Sequence, residues 1–177
     1  MFIQNNHIYL RALEPSDLEL LYTCENNRSI WQISNTTTPF SKDVLLQYVS
    51  NAHLDIYTTK QLRLMVCITN THECVGTIDL FDFEPAHARI GIGVLIFEIY
   101  QNKGYAKQAI ELVKEYAFTN LHLNQLYCSI SASNTQSIHL FEKCQFQKIG
   151  LKKLWNRISI NKYDDEWLLQ CILNYPA

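Results

Sequence analysis

Between Ile90 and Ala117 the hydrophobic period changes once, from an unbroken apolar run to a helical stripe, so a buried strand must feed a helix through a short turn. The strand is Ile90-Gly91-Ile92-Gly93-Val94-Leu95-Ile96, and the stripe is Ala106, Ala109, Ile110, Val113 and Ala117. Between them stands Gln101-Asn102-Lys103-Gly104-Tyr105-Ala106. The first turn of such a helix carries backbone N–H groups without intrahelical partners and the positive end of the macrodipole, and Gly104 and Ala106 leave space for phosphate oxygens. The segment reads as a pyrophosphate cradle. As a string it is short and loosely defined, so the surrounding chain decides what it means.

Residues 7–13 alternate polar and apolar and predict an outer strand. Pro15, Ser16 and Asp17 suit a helix N-terminus, and Leu18, Leu20, Leu21 and Tyr22 give the apolar face of a helix ending near Asn26. After the polar connection Asn35-Thr36-Thr37-Thr38-Pro39, Ser41 opens a second helix with Val44, Leu45, Tyr48, Val49 and Ala52 on one stripe. Strands are predicted at 61–69, 74–83 and 89–97, the first two joined by a turn at Asn70-Thr71-His72-Glu73. Pro85 cannot donate to a ladder, which puts the next reversal at Glu84-Pro85-Ala86-His87. The cradle helix runs to about Thr119; a strand near 123–131, a helix at 134–144 and closing strands near 146–155 and 163–173 follow. The last turn falls at Asn156-Arg157 or at Asn161-Lys162. No repeat, low-complexity tract or linker interrupts residues 1–177, which read as a single α/β (α+β) domain.

Composition narrows the function classes. The formal charge of -2 offers no basic field for nucleic acid or for an anionic membrane, and neither is expected as a partner. No apolar run is long enough to span a bilayer and the N-terminus has no signal-peptide core, so a cytoplasmic location is expected. The 6 cysteines and 6 histidines show no metal-ligand spacing; the thiols read as small core hydrophobes and no metal is expected.

The cradle acquires its context from Asn134-Thr135-Gln136-Ser137-Ile138-His139-Leu140-Phe141-Glu142-Lys143-Cys144-Gln145-Phe146, which follows the strand-like Gln125-Leu126-Tyr127-Cys128-Ser129-Ile130. This order of strand, Q/R-x-x-G-x-G/A loop, helix, strand and N-x-x-S/A-x-x-L-Y/F-E-K-x-G-F helix resembles the core of the GCN5-related N-acetyltransferase (GNAT) family, over nearly the full length. Gly76-Thr77-Ile78-Asp79-Leu80, Tyr100 to Ala106 and the Asn134 helix are most similar to the branch with ribosomal-protein alanine N-acetyltransferases and spermidine acetyltransferases. The resemblance implies the GNAT fold: a mixed, mostly antiparallel central sheet of about seven strands flanked by about four helices, splayed between the strands before and after the cradle helix.

It also implies acetyl-CoA as cosubstrate. Pyrophosphate contacts would come from Gln101, Asn102, Lys103, Gly104, Tyr105 and Ala106, and pantetheine contacts from the backbone of Val94, Leu95 and Ile96, paired like an added strand. Asn134 would hold the pantetheine side, although Asn is also a favoured N-cap whatever the ligand. Lys143 is either a ribose-phosphate contact or a solvated helix lysine.

Acetylating an amine requires a neutral nitrogen, donors for a tetrahedral oxyanion and a proton for the departing thiolate. The leaving-group acid is where the sequence departs from its relatives. Many carry tyrosine where Phe141 stands, and phenylalanine has no proton to give. Ser137, on the first turn of the same helix, can bond the sulfur instead, or can make only a local backbone bond. Gln145 replaces the usual glycine at a helix end that favours left-handed backbone. For the general base, Asp79 is the better candidate and Asp82 the second; three residues apart on a strand, they face opposite sides unless a bulge intervenes. Trp31, Phe40, Tyr48 and Tyr57 can wall an acceptor pocket or simply pack.

The function expected is acetyl-CoA-dependent transfer of an acetyl group directly to a primary amine, whether a protein N-terminus, a polyamine or another small amine. Thr36-Thr37-Thr38-Pro39 stands where polyamine relatives carry acidic residues, which weakens the polyamine reading. A non-catalytic coenzyme A-binding regulatory protein is the alternative, and an adaptor domain that binds no coenzyme A is a third. A homo-oligomer is left open.

Overall fold

The computed structural model describes residues 3–34 and 36–173. Its strands are β1 (Ile3–Gln4), β2 (Ile8–Ala12), β3 (Leu62–Ile68), β4 (Cys74–Glu84), β5 (Arg89–Ile96), β6 (Gln125–Ser131), β7 (Gln147–Ser159) and β8 (Lys162–Ile172). Its helices are α1 (Leu18–Glu25), α2 (Arg28–Ser34), α3 (Lys42–Ser50), α4 (Ile56–Thr59), α5 (Tyr105–Thr119) and α6 (Thr135–Lys143). The strands form one sheet in the order β1-β2-β3-β4-β5-β6-β8-β7. Every neighbouring pair is antiparallel except β5 and β6, whose crossover is α5.

Strand parity puts apolar residues on both faces, and each face has its own cover. Leu64, Val66, Ile78, Leu80, Ile90, Ile92 and Leu126 face a core shared with Ala109, Ile110 and Val113 of α5 and Ile138 and Phe141 of α6. Met65 and Cys67 of β3 face the opposite way, against Leu21 of α1 and Leu45 and Val49 of α3. All six cysteines are free and Cys67, Cys128, Cys144 and Cys171 are buried, in line with their reading as packing residues.

The architecture is the expected one, with eight strands rather than about seven and more helices than four. The extra pieces are the short β1, together with α2 and the single turn α4, which Asp55 caps by accepting from Thr58 N–H at 2.8 Å. Elements this brief show too little periodicity to stand out in a sequence. The closing hairpin turns at Asn161, which takes the left-handed conformation at φ 61°. Asn35, part of the predicted polar connection, lies outside the described residues.

Gln145 does adopt the left-handed conformation that glycine usually supplies, at φ 70°. A buried cation holds that corner. Lys114 of α5 donates from Nζ to the Cys144 carbonyl at 3.0 Å and to Gln145 Oε1 at 3.3 Å, so a positive charge sits on the C-terminal carbonyls of α6.

Candidate active site

β5 and β6 share three rungs, Arg89↔Gln125, Ile90↔Leu126 and Gly91↔Tyr127, and then part. β5 stays with β4 as far as Ile96↔Gly76, while β6 stays with β8 from Gln125↔Ile172 to Ser131↔Glu166. The sheet therefore opens into a V beyond Gly91. A cavity of about 1000 Å³ fills the opening and reaches both faces, touching Tyr48 and Met65 on one side and Ile92 and Phe141 on the other. Along Ile92–Ile96 the open edge of β5 offers backbone groups to an incoming extended chain, since alternate residues aim their N–H and C=O away from β4.

The cradle stands past the C-terminal end of β5. Asn102 at φ 61° and Gly104 at φ 81° make the two left-handed steps that turn the chain into α5. Gly104 is the N-cap and gives no side-chain bond, so the first N–H groups of α5 stay available to an anion. A Cβ at Gly104 would find only Gln108 Nε2, at 4.0 Å; backbone conformation rather than crowding demands glycine there. Asn102 Oδ1 accepts from Gln136 Nε2 at 3.5 Å, which ties the cradle to α6.

The expected coenzyme contacts do not all look the same in three dimensions. Val94 and Leu95 line the cavity. The Ile96 carbonyl already accepts from Gln101 Nε2 at 3.0 Å, a bond that ties the cradle to the end of β5. Lys103 and Lys143 are both exposed, and Lys103 Nζ lies 5.3 Å from the centre of the Tyr100 ring. Lys143 ends α6, about 12 Å along the helix from the end that touches the cradle. Tyr105 and Ala106 pack against the core beneath α5.

At the start of α6, Asn134 is the N-cap, its Oδ1 accepting from Ser137 N–H at 3.1 Å. Both readings of Asn134 meet here, because the capping residue also lines the cavity. Ser137 lines it too, half-buried, and among the described residues its hydroxyl has no hydrogen-bond partner. Phe141 is buried in the same wall, edge-on to Phe146 at 5.0 Å between ring centres.

On the α1–α3 face, Asp79 and Arg63 form a two-point pair, Nε to Oδ1 at 2.6 Å and Nη2 to Oδ2 at 3.1 Å, and Arg63 Nη1 also donates to Glu25 Oε1. Burial works against the guanidinium charge, but Asp79 and then Tyr48 and Glu25 more than offset it, leaving the Arg63 pKa raised. Both oxygens of Asp79 accept from Arg63, so its carboxylate is committed to an ion pair. Glu166 is similarly committed, accepting from Lys152 Nζ at 2.8 Å and Asn156 Nδ2 at 3.0 Å. Asp82 is different: a bulge between Phe81 and Glu84 turns it to the cavity, where the Tyr127 hydroxyl donates to it at 3.4 Å. Both aspartates thus line one cavity, by the bulge that their spacing requires.

Several lining residues have no signature in the sequence. Arg63 is the single polar residue of β3, Glu25 and Tyr127 are two among several polar residues of α1 and β6, and the partners of all three come from other elements. Trp155 reaches the cavity because β7 bulges between Lys152 and Asn156, with Leu154 at φ 50° and its N–H held by Asp165 Oδ1 at 2.8 Å. Of the aromatic set suggested for the acceptor pocket, Tyr48 lines the cavity; Phe40 packs under α3, and Tyr57 sits on Phe83 at 5.0 Å.

A V-shaped opening with an uncapped helix N-terminus beyond one arm is the arrangement that the resemblance noted in the sequence implies. The family model for the acetyltransferase (GNAT) domain matches residues 7–147. The chain belongs to this family. It is similar to a spermidine N(1)-acetyltransferase of Vibrio cholerae, 28% identical over 146 residues that make up 82% of each chain. The crystal structure of spermidine N-acetyltransferase from Vibrio cholerae in complex with CoA and spermine superposes with a TM-score of 0.85 at 25% identity, covering 96% of this chain and 97% of that one. A dodecameric structure of that enzyme in an intermediate state matches with a TM-score of 0.78 at 27% identity, over 96% and 95% of the two chains. This GNAT protein is an acyltransferase, and an N-acetyltransferase by its kinship; coenzyme A fits the residues at the opening.

Proposed function

We propose that the protein transfers the acetyl group of acetyl-CoA directly to a primary amine, without a covalent enzyme intermediate. The observation that carries the reading is the cavity at the β5–β6 parting, which reaches both faces of the sheet, at α6 on one side and under α1–α3 on the other. Donor and acceptor can then approach the parting from opposite faces of the sheet. Acetyl-CoA supplies the activated acyl group. The chain's part is to hold the phosphates at the α5 N-terminus, to lay the pantetheine arm on the β5 edge at Val94 and Leu95, and to orient the acceptor.

Ser137 is the proposed proton donor to the departing sulfur. Its hydroxyl is unengaged and stands in the cavity wall, next to a phenylalanine that has nothing to donate. Asp79 we assign to fixing Arg63 rather than to proton transfer, because both its oxygens are occupied. We also propose a cytoplasmic protein that assembles with copies of itself. The dodecameric relative supports assembly, and so does a row of exposed apolar side chains on the closing hairpin, Ile149, Leu154, Trp155, Ile158 and Tyr163.

The test is release of free thiol from acetyl-CoA against a panel containing n-butylamine, spermidine, a dipeptide with an N-terminal alanine and a lysine derivative blocked at its α-amine. Release that requires an amine and saturates with it is the expected result. Saturable coenzyme binding with no release for any amine would overturn the transferase reading in favour of a regulatory coenzyme A-binding protein.

A further inference from the structure

Asp82 is the cavity carboxylate that no cation accompanies, and its placement has a physical cause. On β4, Thr77, Asp79 and Phe81 point to one face and Ile78 and Leu80 to the core under α5. Regular alternation would send Asp82 into that core and Phe83 to the cavity side. The slip in the ladder between Phe81↔Gly91 and Glu84↔Arg89 reverses this, with Asp82 absorbing the extra residue at φ 50°. Phe83 ends up 2% exposed in the core, and Asp82 stands in the cavity lining. Bulges re-aim side chains in this way beside functional sites, and aspartate tolerates left-handed backbone better than most residues.

The neighbours of Asp82 favour one kind of ligand. Glu25 and Asp79 are paired with Arg63, and Glu166 with Lys152, whereas no described cation lies within ion-pair distance of Asp82. The nearest basic side chain on the adjoining strand, Arg89, is bound to Glu84 at 2.9 Å. The Tyr127 hydroxyl donates to Asp82, and burial first, then the Asp82 charge, raises the Tyr127 pKa, so the phenol keeps its proton. The rings of Phe81 and Tyr127 meet edge to face at 6.3 Å and wall the spot. Gly91 lets the Phe81 ring lie there, since a Cβ at that position would overlap it. A carboxylate with one neutral donor, set beside two aromatic rings, suits an alkylammonium ion.

Position agrees with chemistry. Tyr127 faces Gly91 on the last rung before the strands part, while the cradle lies beyond the far end of the open run Ile92–Ile96. That run measures about 16 Å at the rise of a β-strand. A donor held by its phosphates at one end and an amine held by Asp82 at the other would converge at the closed end of the V.

We propose that Asp82, with the Tyr127 hydroxyl as its partner, is the residue that binds the acceptor amine as its ammonium ion, an assignment that rests on the amine-acetylation reading above; the bound ammonium gives up one proton to solvent at this exposed carboxylate before the neutral nitrogen attacks the thioester. The test compares wild type with Asp82→Asn and Tyr127→Phe, first in turnover of the best alkylamine of the panel and of n-butylamine. It then measures, by calorimetry, binding of n-butylamine to protein saturated with unacetylated CoA. Asp82→Asn should raise KM for the alkylamine by on the order of tenfold or more, with kcat changed by less than about threefold and KM for acetyl-CoA unchanged. Calorimetric affinity for n-butylamine should fall in parallel, and Tyr127→Phe should give a smaller shift of the same kind. An unchanged amine KM and affinity in Asp82→Asn would overturn the assignment, as would equal rises in the amine and acetyl-CoA KM. If wild type acetylates no amine, the transferase reading falls; n-butylamine binding that is lost in Asp82→Asn would then still uphold the ammonium site, and its absence would remove that as well.

Discussion

Ser137 is placed by a cap rather than by its own bonds: Asn134 Oδ1 takes its N–H at 3.1 Å, and the hydroxyl is left facing the cavity. Its proposed role as proton donor predicts that Ser137→Ala lowers kcat by on the order of 10²-fold, the usual scale for one acid–base group, with the affinity for coenzyme A unchanged. Stopped-flow thiol release beside a coenzyme binding titration checks this; unchanged kcat would assign the serine to packing. Gly104 makes the complementary case. Any other residue at φ 81° carries a conformational cost of about 1–2 kcal/mol. Gly104→Ala is therefore expected to weaken coenzyme binding by distorting the cradle, and a thermal-shift titration should show the ligand-induced rise in Tm reduced or lost. Gly104 and Ser137 were legible because their spacing to the neighbouring strand and helix is local. Arg63 was not, since its meaning depends on Asp79 lying across the β3–β4 ladder and on Glu25 at the end of α1.

At the level of elements, the long strands and helices followed from hydrophobic period, while the irregularities did not. The bulges at Phe81/Glu84 and at Lys152/Asn156 each shift side chains between faces, and each carries a left-handed residue that is not glycine, Asp82 and Leu154. No local preference announces such a step, because the surrounding ladder imposes it. The spacing of Asp79 and Asp82 stated the need for a bulge without saying whether one exists. The end of α6 is a similar case, where Gln145 occupies a glycine's conformation and Lys114 secures it from another helix. Lys114→Met keeps the length of the side chain and removes its ammonium group, leaving the Cys144 carbonyl short of a donor in a buried site. The expected loss is about 2 kcal/mol, the scale of an unsatisfied buried polar group, measured as a lower urea midpoint with the slope unchanged.

For the whole molecule, what the sequence could not reveal was the strand order, in which β8 inserts between β6 and β7. Two acidic residues fasten outlying parts of that sheet and set its response to acid. Asp17 joins the turn before α1 to β2 through Arg11, at 2.7 and 2.8 Å, and also accepts from Glu14 N–H at 2.8 Å. Burial opposes its charge, but Arg11 and the Glu14 amide outweigh burial and hold the pKa below the ordinary carboxylate value. Asp164, in the closing hairpin, accepts from the Ser131 hydroxyl and from Ser133, which lower its pKa to about 2. Because both folded-state values are depressed, their stabilisation is complete above the unfolded carboxylate pKa of ~3.9 and fades as pH falls through the folded values. Urea midpoints should therefore show no contribution from these two groups to any slope between pH 5 and 7, and a falling contribution from about pH 4 downward. Asp17→Asn isolates one of them: it should be less stable than wild type at pH 7, with the gap narrowing as pH drops below about 4, because protonation then removes the same charge from the wild-type side chain. A gap that stays constant from pH 7 to pH 2.5 would mean that Asp17 contributes by shape and hydrogen bonding, with its charge playing no part.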